Sequence, residues 1–168
     1  MFRHRLLAVV LVAAAVLPAG PAASAAAPSD HQTLNRATVV RWVETYLRAW
    51  RDKDDVAVGR LFTADAVYQE IPGDETRTFV GRRAIREYWR TITAGQSDVT
   101  THYGEPLIQG DRAAVELWVS LRVNGNWLTL VETNVLYFAP TGQVRRNVEY
   151  WIPREGRFDP PPGWGAPR

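Results

Sequence analysis

From Leu34 to Arg51 the apolar residues fall at Val39, Trp42, Val43, Tyr46, Leu47 and Trp50. Gaps of three and four draw one helical stripe. Asp54 or Asp55 is placed to cap a second, short helix carrying Val56, Val58, Leu61 and Phe62. Ala66 to Ile71 reads as a short strand ended by Pro72-Gly73. Gly81 precedes a third helix, Arg82 to about Thr93, with Ile85, Tyr88, Trp89 and Ile92 inward. After Gly95 the period changes to two. Thr100–Gln109, Ala113–Val123, Trp127–Phe138 and Val144–Ile152 read as strands, joined at Gly110-Asp111, Asn124-Gly125 and Pro140-Thr141-Gly142. Asn-Gly between alternating apolar runs is a strong hairpin signal. Helices followed by an antiparallel meander predict an α+β domain over residues 34–152. Residues 153–168 form a Pro/Gly-rich tail, expected to be extended.

Partners across a hairpin share a face. With Val123 opposite Leu128, Leu117 faces Asn134 and Val119 faces Glu132; a tighter turn pairing Val123 with Asn126 keeps the parity. Phe138 opposite Gln143 would set Asn134 beside Asn147, Glu132 beside Glu149, and Leu130 beside Trp151. One face then carries Val115, Leu117, Val119, Leu121, Leu128, Leu130, Leu136 and Phe138, with Glu132, Asn134, Asn147, Glu149 and Trp151 among them. The other carries Glu116, Trp118, Ser120, Trp127, Thr129, Val131, Thr133, Val135 and Tyr150. The simplest cover puts the helices on the first face and a second copy of the chain on the other, a homodimer through the outer sheet face. Carboxylates among leucines are the anomaly, because burial raises a carboxyl pKa or demands a partner. Glu132 and Glu149 side by side would share a proton; the alternative is a wet pocket mouth or pairing with Arg145.

The amino end modifies the picture of composition. Met1–Arg5 is basic, Leu6–Leu17 is apolar, and Pro18–Ala27 is small, with A-x-A sites at 23–25 and 25–27. Residues 1–27 read as a secretory signal and 28–33 as a linker, so the mature chain is expected outside the cell with no stable membrane span. Removing Arg3 and Arg5 leaves 18 basic and 18 acidic residues. The whole-chain pI of 9.2 is therefore no case for a nucleic-acid partner. The 168 residues contain no cysteine, which removes disulfides and thiolate chemistry. His4, His31 and His102 are scattered, and no metal site is expected. No phosphate-binding glycine loop or G-x-S-x-G elbow occurs.

The stretch TYLRAWRDKDDVAVGRLFTADAVYQEIPGDETRTFVGRRAIREYW, with the closing F-x-x-x-G…E-Y-W of Phe138 to Trp151, resembles the SnoaL-like and ketosteroid isomerase branch of the nuclear transport factor 2-like superfamily. The resemblance spans about residues 36–152. It implies a cone: a strongly curved, mostly antiparallel sheet wrapped by three N-terminal helices. It further implies roles. Tyr46 stands where ketosteroid isomerases have their oxyanion-stabilising Tyr, Glu70 where they have the catalytic base, and Asn134 where they have a protonated Asp donor. Glu70 is one methylene longer than that Asp, and Asn134 donates without needing a raised pKa. Trp50, Tyr68, Leu117, Leu130, Glu132, Leu136, Asn147, Glu149 and Trp151 complete the expected substrate-binding wall. Tyr68-Gln69-Glu70-Ile71-Pro72 also resembles the Tyr-x-Asn-x-Pro segment of limonene epoxide hydrolases. Glu149 can stand for one of their acids, but Ala114 occupies the place of their Arg. The expectation is a secreted enzyme needing no cofactor, doing acid/base chemistry on a small hydrophobic ring compound. Two alternatives stay open: a non-catalytic binding module, whose cone carries an exported lipophilic molecule or whose tail with Trp164 docks a partner, and an epoxide hydrolase-like water activator.

Overall fold

The computed structural model describes residues 34–165; the expected signal, the linker and the last three residues lie outside the described residues. Helix α1 runs Arg36–Asp52. The Asn35 side chain caps it, accepting from the Thr38 amide at 2.9 Å, and Lys53 ends it in the left-handed conformation. Its buried stripe is Val39, Trp42, Val43, Tyr46, Leu47, Ala49 and Trp50. Asp54 caps α2, Asp55–Arg60, through the Ala57 amide. Phe62, expected on that helix, instead opens strand β1, Phe62–Gln69. Pairing beside Val144 of the last strand and edge-on packing against Trp42 claim it for the sheet. A 3-10 turn at Glu75–Arg77 and strand β2, Thr78–Val80, follow; neither has an apolar run long enough to announce it. Helix α3 is Arg82–Ala94.

The expected strand Thr100–Gln109 is two strands, β3 Gln96–Tyr103 and β4 Leu107–Gln109. Gly104-Glu105-Pro106 interrupts it, and Pro106 has no N–H for the ladder. Strands β5 Arg112–Val123, β6 Asn126–Phe138 and β7 Val144–Glu155 complete the set. The sheet order is β2-β1-β7-β6-β5-β3, with β4 also on β5; β1 runs parallel to β7 and the other pairs are antiparallel. The sheet is curved and unclosed, as the cone requires.

Register decides which side chains meet. Asn124 and Gly125 both have positive φ, so the first hairpin closes in two residues and Val123 pairs with Asn126. The β6–β7 register differs from expectation by two. The loop pairs Phe138 with Val144 rather than Gln143, and a bulge at Arg145 then sets Tyr137 opposite Arg146. Each step alone would flip the faces; together they restore them. Asn134 therefore faces Glu149, Glu132 faces Trp151, and Leu136 faces Asn147.

β7 extends three residues past the expected end at Ile152, through Pro153. Pro153 pairs with Leu130 of β6, and because β1 has already ended at Gln69 the other edge of β7 is open there. The tail then turns back over the outer sheet face. Phe158 C=O accepts from Trp118 Nε1 at 2.6 Å and Ser120 Oγ at 3.0 Å, and Thr129 Oγ1 donates to Gly156 C=O at 2.9 Å. Trp164 stacks edge-on against Trp118 at 5.9 Å. Trp118, Ser120 and Thr129 are buried by this strap, which occupies part of the surface expected to take a second copy. Tyr150 and Ile152 stay exposed.

Candidate functional site

Alternation along β6 and β7 sends Glu132, Asn134, Asn147 and Glu149 inward, beneath α1 and α3. Each is at least nine-tenths buried. One oxygen organises them. Glu149 Oε1 accepts from Tyr68 OH at 2.5 Å, Tyr46 OH at 3.0 Å, Asn147 Nδ2 at 3.0 Å and Asn134 Nδ2 at 3.3 Å. Tyr46 arrives from the α1 stripe and Tyr68 from β1, their hydroxyls 3.1 Å apart.

Burial opposes the charge on Glu149, while the donors from Tyr68, Tyr46 and Asn147 favour it; the balance leaves its carboxyl pushed up to about 7. Burial, and then the charge on Glu149, hold the Glu132 carboxyl well above the usual carboxylate range. Glu132 sits diagonally across the β6–β7 ladder from Glu149, and its Oε1 has no hydrogen-bond partner. Burial and the neighbouring Glu149 raise Tyr46 and Tyr68, so both stay protonated donors.

Glu70 stands apart from this hub. It follows β1, and its Oε1 pairs with Arg77, a partner the sequence reading missed. Glu70 N donates to Arg77 C=O across the loop of residues 71–76, which contains Pro72-Gly73 and carries the guanidinium back. That loop is the signal that could have found Arg77. Tyr88, read only as an inward residue of α3, is raised by burial and by the charges of Glu149 and Glu70. Trp151 Nε1 donates to Glu70 C=O at 3.1 Å, tying β7 to the loop.

A cavity of about 520 Å³ lies against β6 and β7, where β1 has ended. Glu70, Ile71, Glu132, Glu149 and Trp151 line it with outer-face Tyr150 and Trp164 of the strap. No helical residue does. Of the expected wall, Leu117, Leu136, Tyr68, Trp50 and Asn147 sit in the core instead, as do Tyr46 and Asn134. Leu130 is half-buried against that core. Beneath the helices, Tyr46, Trp50, Tyr68, Tyr88 and Trp89 form a network of ring contacts, with Tyr46–Trp89 at 5.0 Å and Trp50–Trp89 at 5.2 Å. These rings fill the space between α1, β1 and α3. A second hollow of about 840 Å³ opens at the other end of α1, around Thr38, Trp42 and Phe138, and none of the buried carboxyls lines it.

The SnoaL-like domain model matches residues 43–148, more than half the chain, and the chain belongs to that family. No curated protein matches it. Solved structures do. The epoxide hydrolase/cyclase-like enzyme SalBIII, of pyran ring formation in the polyether salinomycin, is 22% identical, covering 70% of this chain and 93% of its own, at a TM-score of 0.61. A limonene epoxide hydrolase-like epoxide hydrolase of Mycobacterium tuberculosis is 18% identical, with coverages of 72% and 85% and a TM-score of 0.59. A protein of Catenulispora acidiphila with a ketosteroid isomerase-like fold, solved in complex with trimethylamine, is 20% identical, with coverages of 65% and 83% and a TM-score of 0.57. At these identities the likeness is one of fold.

Proposed function

We propose that this chain is a cofactor-free acid–base enzyme acting on a small lipophilic ring compound, with Glu149 and Glu132 as its proton-exchanging pair. The observation that carries the reading is Glu149 itself: a buried carboxyl with a pKa of about 7, held by four donors on one oxygen. A base poised near the working pH combines a useful ionised fraction with a strong pull on a proton. Glu132 keeps its proton and acts as the acid at the developing oxyanion or leaving oxygen. Tyr46, Tyr68, Asn134 and Asn147 orient Glu149 and set its basicity. The substrate approaches along the cavity beside Trp151, where both acids contribute to the wall. Glu70, paired with Arg77, is a positioning group in this scheme rather than the base its place in the sequence suggests.

The same pair serves proton transfer α to a carbonyl and opening of an epoxide by water, and the epoxide hydrolase and cyclase-like neighbours support that second use. The signal-like residues 1–27 support action outside the cell.

The test is a panel of cyclic ketones and cyclic epoxides incubated with the protein in D₂O or H₂¹⁸O and read by mass spectrometry. Acid–base action predicts isotope uptake that Glu149→Gln abolishes while the fold persists. Uptake unchanged in Glu149→Gln, or no uptake from any compound, contradicts the assignment.

A further inference from the structure

The bulge that restores the β6–β7 register has a second consequence on the outer face. In a regular strand Arg145 and Arg146 would point to opposite faces. The bulge breaks that alternation: Arg146 pairs with Tyr137, Arg145 is left without a ladder partner, and its guanidinium also reaches the Tyr137 ring. Arg112, the β5 partner of Tyr137, approaches from the other side. The three guanidinium carbons lie 5.8, 5.5 and 5.6 Å from the Tyr137 ring centroid, for Arg112, Arg145 and Arg146 in turn. All three side chains are exposed and Tyr137 is half-buried, so the ring serves as a platform.

Neutralisation is incomplete. Arg145 pairs with Asp111 at 2.7 Å. Arg146 donates only to the neutral Gln69 Oε1 at 2.7 Å, and Arg112 to Gln109 Oε1 at 3.4 Å. Among the described residues neither meets a carboxylate. Crowding like charges on adjacent strands is unfavourable unless an anion joins them. Guanidinium forks match the geometry of a phosphate group, and several converging on one ring suit a polyvalent one.

We propose that Arg112, Arg145 and Arg146, arrayed on Tyr137, form a binding site for the phosphate group of a soluble phosphorylated ligand. The site is separate from the buried carboxyls. Asp111 is its internal competitor, since it occupies Arg145 in the absence of ligand.

The probe is inorganic pyrophosphate at low salt, titrated into the protein and followed by calorimetry and by amide NMR shifts. Saturable binding is expected, with shifts centred on Tyr137 and its cross-strand neighbours. R146Q and R112Q should each weaken it about tenfold, the scale of one lost charge-assisted contact. D111N should tighten it several-fold by freeing Arg145. The thermal midpoint of each variant verifies that it has folded. Binding indifferent to both arginine substitutions, or weakened by D111N, overturns the site. Preference for phosphatidylglycerol vesicles over pyrophosphate overturns the soluble ligand.

Discussion

Replacing Glu149 by Gln keeps the shape of the side chain and removes its charge. The effect on stability should depend on pH in one direction only. The folded carboxyl has a pKa of about 7 against a reference of 4.5, so between those values the folded chain holds a proton that the unfolded chain has released. The resulting stabilisation is complete below pH 4.5 and is lost as pH rises through 7. Its size is about 3 kcal/mol at 1.36 kcal/mol per pH unit. Glu132, raised in the same direction by burial and by Glu149, adds to the decline. The carboxyls that are lowered, Asp74, Glu105 and Asp111, change their contribution at more acid pH and leave this window alone. Urea unfolding by tryptophan fluorescence at half-unit steps from pH 5 to 8.5 should show wild-type stability falling by about 3 kcal/mol or more. Glu149→Gln should flatten much of that slope and become the more stable chain at pH 8. At pH 5 it should be equal or weaker, because the amide oxygen replaces a protonated carboxyl under the same four donors. A wild-type curve that is level across the window, or a variant that retains the full slope, refutes the reasoning.

Tyr68→Phe removes the shortest donor to Glu149 and should raise that carboxyl by about one further pH unit, the size of one hydrogen bond to a charged group, measured by carboxyl ¹³C NMR. Ending the chain after Glu155 should uncover Trp118, Ser120 and Thr129, lower the thermal midpoint and increase dye binding or self-association, read by scanning fluorimetry and light scattering. Gly104→Ala should loosen the strap end in a milder way: its added Cβ would stand 2.9 Å from Gly165 Cα, so protease should clip residues 156–165 faster while the domain stays folded. Expression in a secreting host should release a chain whose amino terminus, read by mass spectrometry, falls between residues 24 and 28.

Much of the fold is legible in periodicity. The gaps of three and four in α1 name its buried stripe, and Asn124-Gly125 locates the central hairpin. Alternation groups Glu132 with Asn134 on β6 and Asn147 with Glu149 on β7; that the two pairs share a face depends on two register steps that cancel. Their pairing is not legible either, because the longer loop and the bulge at Arg145 have no signature in residue type and together move each partner by two positions. β2 is three residues long, and its place beside β1 depends on tertiary pairing. The resemblance implies Tyr46 and Asn134 as donors to a substrate oxyanion; in the structure both donate to Glu149 Oε1. Spacing shows which groups can meet; it does not show which of three buried carboxyls the donors will choose. The Arg77 pairing of Glu70 was hidden for a similar reason, since it needs the geometry of a loop. The tail is extended only through Glu155 and then turns back, and its path over Trp118 includes a close Gly104–Gly165 approach between segments far apart in the chain.

The central claim is that a buried carboxyl pair exchanges a proton near neutrality. Its most direct test is carboxyl ¹³C NMR titration of protein labelled at glutamate, with Glu149→Gln and Glu132→Gln to assign the two signals. The account predicts one step near pH 7 that disappears in Glu149→Gln, and a Glu132 signal still protonated well above the ordinary carboxylate range. Both signals moving below pH 5, with the folded protein intact, would contradict it.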